Sequence, residues 1–130
     1  MENGNALDTP TFPYVLLAMF PYYNHLFGTT LRRVGLTVRW EDTLKDAWER
    51  MHHAQPRVVV CWIGRCPPDG LVLLKQMKAS ALADIPVVAI VEQGGDPNAY
   101  ITMGAAVALV IPFEPVAFVE CVKRLLPPTN

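Results

Sequence analysis

A chain of 130 residues has room for one domain, because compact domains cluster near ~100 to 150 residues. Hydrophobic residues make up 52% and charged residues 18%, a balance that suits a well-buried parallel sheet. The formal net charge of -1 argues against a polyanion-binding surface, because nucleic-acid binders displace counterions with clustered Lys and Arg.

Residues 1–13 are polar, with Pro10 and Pro13, and read as a loose leader; 14–126 read as the folded domain and 127–130 as a tail. Tyr14 to Phe20 is an apolar run of strand length. Asn24 to Val34 follows with Phe27, Leu31 and Val34 at helical spacing, and Gly35 closes the turn. Leu36 to Trp40 predicts a second strand, and Thr43 an N-cap for a helix with Leu44, Ala47, Trp48 and Met51 on one face. His52 and His53 fall in its last turn, where imidazolium suits the helix dipole.

Val58 to Ile63 is the most strand-like run, with three consecutive valines. Pro67-Pro68-Asp69-Gly70 leads into a helix that groups Leu71, Leu74 and Met77. Ile85 to Val91 predicts a fourth strand, Gly94-Gly95 a turn, and Asp96-Pro97 a helix start. Ala106 to Ile111 completes the strands, and Val116 to Leu126 forms the last helix with Phe118, Val122 and Leu125 inward. Strands alternating with helices imply right-handed crossovers and a doubly wound five-stranded parallel sheet with helices on both faces.

No apolar run reaches the ~18 to 20 residues of a membrane span, and the first residues lack a signal peptide's basic start and apolar stretch. Three cysteines without framework spacing fit a reducing compartment, so the chain is expected in the cytoplasm. Cys61 and Cys121 read as buried thiols. Cys61 and Cys66 have no second Cys or His pair at a matching distance, which argues against zinc.

A ligand of such a sheet lies beyond the C-terminal strand edge, where strand order reverses. Met19, Phe20, Trp62, Val91 and Ile111 occupy the ends of four predicted strands at that edge.

From Tyr14 to Leu126 the chain resembles the receiver domains of response regulators. Asp69-Gly70-Leu71-Val72-Leu73-Leu74-Lys75 is similar to the Asp-Gly helix start after the phosphoacceptor loop, and Ile85-Pro86-Val87-Val88-Ala89-Ile90 to the fourth strand. Met103-Gly104-Ala105-Ala106 resembles the Gly-Ala turn, and Pro112-Phe113-Glu114-Pro115 the segment after the family lysine, whose Lys-Pro bond is usually cis.

The resemblance implies flavodoxin-like architecture and a site of acidic pair, phosphoacceptor Asp, Ser or Thr, and Lys around Mg2+. Carried over, the acidic pair falls on Met19 and Phe20, the phosphoacceptor on Trp62 (Cys61 with a one-residue loop difference), the hydroxyl on Val91, the lysine on Ile111, and the switch aromatic on Ala108. Mg2+ wants hard oxygen ligands, and phosphoryl transfer rests on positioning and charge neutralisation around it. Asp69 reads as an N-cap, and Glu41 and Asp42 as capping residues.

The expectation is therefore a pseudo-receiver with no catalytic residue, Mg2+ or cofactor, whose former site is collapsed and dry. It would act without phosphorylation as a regulatory adaptor in bacterial signalling, docking a protein or a second copy through helix four, strand five and helix five. Tyr100, Met103, Ala108 and Phe118 are the candidate residues of that face, with Ile101, Val110 and Cys121 nearby. The alternative is small-molecule sensing in an apolar pocket under Met19, Phe20, Trp62 and Ile111. His25-Leu26-Phe27-Gly28 resembles part of the cobalamin-domain signature, but Tyr23 stands where its Asp would be, which disfavours that cofactor.

Overall fold

The computed structural model describes residues 9, 10 and 12–127. Most of the expected leader and the end of the expected tail lie outside the described residues. Ten elements alternate: β1 (Tyr14–Ala18), α1 (Pro21–Arg33), β2 (Thr37–Glu41), α2 (Leu44–His53), β3 (Val58–Ile63), α3 (Gly70–Lys78), β4 (Val87–Val91), α4 (Pro97–Thr102), β5 (Val107–Val110) and α5 (Pro115–Leu125).

The strands form one parallel sheet in the order β2-β1-β3-β4-β5. β1, β3 and β4 are buried along their whole length, which is why their sequences are continuous apolar runs instead of alternating ones. Two apolar layers cover the sheet. Val15, Leu17, Val60 and Ile90 face α1 and α5, meeting Leu31, Phe118 and Val122. Leu16, Val59, Cys61 and Ala89 face α2, α3 and α4, meeting Met51, Leu74, Met77 and Tyr100.

Local chemistry sets the helix ends. The side chains of Thr43, Asp69 and Asp96 accept backbone N–H bonds from the first turns of α2, α3 and α4. Proline opens α1, α4 and α5, where a missing N–H costs nothing. Gly35, at φ +89°, takes the left-handed turn that releases the chain from α1 into β2.

Helix α1 starts at Pro21, earlier than the apolar spacing suggests, so Val34 caps the helix and is exposed where an inward residue was expected. Among the described residues no helix is long and apolar enough to cross a membrane.

Candidate functional site

The sheet reverses its strand order between β1 and β3, the position at which doubly wound sheets open a crevice beyond the strand ends. Met19 follows β1, Trp62 lies near the end of β3, Val91 ends β4, and Ile111 follows β5. Met19, Trp62 and Ile111 come together in the α1 and α5 layer, whereas Val91 packs in the opposite layer. The apolar positions at the strand edge thus divide between two cores.

Phe20 corrects the expectation that it lines the crevice. With Pro21 opening α1 directly behind it, Phe20 becomes the extended N-cap residue and is 41% exposed. The aromatic that covers the crevice is Tyr23, whose ring stacks on Trp62 at 4.1 Å between centroids and 12° between planes. An indole buried to 3% exposure and capped by a phenol leaves Met19 fully buried beside it.

A carboxylate does stand at this edge, one that the strand-end pattern did not single out. Glu92, just past β4, accepts the indole N–H of Trp62 on Oε2 at 3.1 Å and the backbone N–H of Arg65 on the same oxygen at 2.9 Å. Those two donors, the Arg65 N–H foremost, hold the Glu92 carboxyl below its ordinary pKa. Gly64 makes room for it: a Cβ there would come within 2.2 Å of the carboxylate. The signal was a glycine in the β3–α3 loop paired with an acid one residue past β4, and spacing alone does not connect the two.

The neighbouring loops are tied down as firmly. Asn24, fully buried in α1, accepts the Met19 N–H and shares its two Nδ2 hydrogens among the carbonyls of Met19 and Glu41 and Asp42 Oδ1. One amide side chain thereby joins the ends of β1 and β2. Asp42 takes part in that clamp instead of capping a helix, which corrects the expectation for it.

Glu41 is corrected too. Its side chain is buried and pairs with Arg50 of α2, Nε to Oε2 at 2.6 Å, with Arg50 itself buried. Burial raises the Glu41 pKa, against the opposing pull of the Arg50 hydrogen bond and charge.

Asp69 caps α3 as expected, through the N–H groups of Leu71 and Val72. Cys61 is fully buried, its thiol in contact with the Gly70 carbonyl at 3.6 Å and its pKa pushed up to about 12 by burial and then by the charge of Asp69. A thiol so protonated is a poor nucleophile. Among the described residues no group of three or more His, Cys, Asp or Glu is arranged to hold a metal ion. His25 lies on the exposed side of α1 against the edge of Trp40. The Ile111–Pro112 bond is cis, as the resemblance implied, and so is Pro67–Pro68.

On the face of α4, β5 and α5, Ile101 and Met103 are exposed, while Tyr100, Ala108, Val110 and Cys121 are half-buried. Phe118 does not belong to that surface. It is fully buried on the α1 side of the sheet, 5.0 Å from the Phe27 ring and 6.0 Å from that of Phe113. The Val119 beside it is also buried, so α5 turns its apolar stripe to the core.

No protein-family model matches the sequence, and no curated protein matches it. Solved structures do. A putative response regulator of Chloroflexus aurantiacus is 25% identical over 88% of this chain and 98% of that one, with a TM-score of 0.77. The receiver domain of NtrX from Brucella abortus is 23% identical over 87% of this chain and 97% of its own, with a TM-score of 0.76. In the longer NtrX chain solved with ADP, the match covers 26% of that chain. The non-phosphorylated HemR receiver domain of Leptospira biflexa is 21% identical over 92% and 98% of the two chains, with a TM-score of 0.75. The chain is a receiver-like domain with the flavodoxin-like α/β fold of CheY4 from Vibrio cholerae.

Proposed function

We propose that this receiver-like domain is a pseudo-receiver, a regulatory adaptor in bacterial signal transduction that works without phosphorylation and without Mg2+. The observation that carries the reading is Trp62. Its indole fills the place at the end of β3 where the resemblance puts the phosphoacceptor, stacked under Tyr23 and bonded to Glu92. An indole offers an N–H donor and no oxygen, so it can neither take a phosphoryl group nor ligate a hard cation.

The rest of the edge supports this. Met19, Val91 and Ile111 are apolar, and the Glu92 oxygen that faces Trp62 already accepts two N–H donors. Packing those positions with apolar side chains stabilises the fold by about 25 cal/mol per Å2 buried, where clustered carboxylates without a metal would repel. Such a domain holds one conformation and signals by being bound, not by chemistry of its own.

The docking surface we assign to it is the face of α4, β5 and α5, now carried by the exposed Ile101 and Met103 with the half-buried Tyr100 and Ala108. Exposed apolar side chains are what a protein partner or a second copy covers. The cytoplasm is the compartment in which such an adaptor would act.

Hydrogen exchange tests the reading. Amides of the loops after β3 and β4 should exchange at the same rate with and without acetyl phosphate and Mg2+. A phosphate-dependent change in those loops contradicts a domain locked in one state.

A further inference from the structure

Between α1 and the loop that carries β5 into α5, the surface opens a groove of about 230 Å3. Leu26, Phe27 and Thr30 line one side, and Ile111, Phe113 and Phe118 line the other. The rings of Phe27, Phe113 and Phe118 pack in mutual contact at centroid distances of 5.9, 5.0 and 6.0 Å. This groove is separate from the closed crevice over Trp62, and of the apolar strand-edge positions it takes in Ile111.

We propose that the groove binds a free, neutral aromatic molecule of one or two fused rings that carries a hydrogen-bond donor, with indole as the prototype. Size sets the first limit. Sites for drug-sized ligands span ~300 to 1,000 Å3, so a groove of about 230 Å3 matches a single compact ring system. Phe27 and Phe113, half-buried and backed by the fully buried Phe118, set the second, because edge-to-face and offset stacking favour another ring over a flexible chain.

Charge sets the third limit. The side chains that line the groove are uncharged, so a carboxylate or phosphate would lose its hydration with nothing to replace it. Ile111 stands where the resemblance places a lysine, and removes the cation that would draw an anion.

Thr30 sets the fourth. Its hydroxyl donates to the Leu26 carbonyl at 3.0 Å, which spends the one O–H and leaves the oxygen as an acceptor. The ligand must therefore bring the N–H or O–H. The site is independent of the pseudo-receiver reading, since it would stand even if the strand edge took up phosphate.

The test is a titration of the full chain followed by methyl NMR, with indole, 1-methylindole, indole-3-acetate and N-acetyltryptophanamide as probes. Indole should shift Leu26, Thr30 and Ile111 saturably, 1-methylindole should bind more weakly, and indole-3-acetate more weakly still. Thr30→Val, which keeps shape and removes the acceptor, should weaken indole about fivefold, the worth of one neutral hydrogen bond, and leave 1-methylindole unchanged. Absence of saturable shifts at Leu26 and Ile111, or equal binding of indole and 1-methylindole, overturns the proposal. Tighter binding of N-acetyltryptophanamide than of indole overturns it as well, assigning the groove to a side chain of a protein partner.

Discussion

Trp62 and Glu92 meet across the ends of two adjacent strands, the indole N–H donating to the carboxylate at 3.1 Å. The bond fastens the loop after β4 to the loop after β3, because the same oxygen also accepts the Arg65 N–H. The edge therefore carries a polar latch over an apolar floor.

The latch is pH-dependent with a definite sign. The Glu92 pKa lies below its ordinary value in the folded state, so its stabilising contribution is complete above the unfolded carboxylate pKa of about 4.3 and is lost as pH falls through the folded value. Glu41, raised by burial, works in the opposite direction and is common to both proteins compared. The urea midpoint of the wild-type chain should fall more steeply than that of Glu92→Gln as pH drops below about 5. Parallel slopes would remove Glu92 from the account.

Gly64→Ala should act through Glu92. A Cβ placed 2.2 Å from the carboxylate expels it from its seat, so the variant should lower the melting temperature and shift the Trp emission by breaking the indole bond. In a Glu92→Ala background the same substitution should cost far less, because nothing is left to displace. Additive effects in the double-mutant cycle would show that the clash lies elsewhere.

The buried Glu41–Arg50 pair gives the largest expected loss. Arg50→Met leaves the Glu41 carboxylate uncompensated at 3% exposure, a change expected to cost about 3 to 5 kcal/mol. Replacing both partners by apolar residues of similar size should recover most of it. Chemical denaturation of the single and double variants decides, and a single variant as stable as the wild type contradicts the pairing.

Much of the scaffold was legible in the sequence because its signals are local. Val58–Ile63 forms β3 over the expected span, and Thr43, Asp69 and Asp96 cap the helices they were expected to cap. Burial on both faces makes β1, β3 and β4 read as unbroken apolar runs, and an N-cap is a relation between residues two or three apart. What escaped was built from distant residues.

Glu92 reads as an ordinary loop acid until β4 is set beside β3. Arg50 sits on the inner stripe of α2 between Ala47 and Met51, a hint that an arginine was being buried, but its partner lies on another element. Asn24 likewise shows no sequence sign of the polar groups it ties together. Phe20 was misplaced for a related reason: an apolar residue beside a helix start can face either way, and Pro21 turned Phe20 outward. Phe118 faces inward as the α5 periodicity predicts, which removes it from the docking face to which it was also assigned.

The α4, β5 and α5 face has its own test. Ile101 and Met103 are exposed, so charging Met103 should leave the unfolding free energy within about 0.5 kcal/mol of wild type, as surface changes do. Sedimentation should show concentration-dependent self-association, or complex formation with a purified partner, that Met103→Glu weakens at least tenfold. Association untouched by the change moves the interface to another surface.

The central claim is that the strand edge has lost phosphoryl chemistry. Incubation of the chain with acetyl phosphate and Mg2+, followed by intact-mass measurement under neutral and acidic conditions, addresses it directly. The unmodified mass should persist at every time point. An acid-labile phosphate adduct on this domain, mapped to the loops around Trp62 and Glu92, would contradict the account.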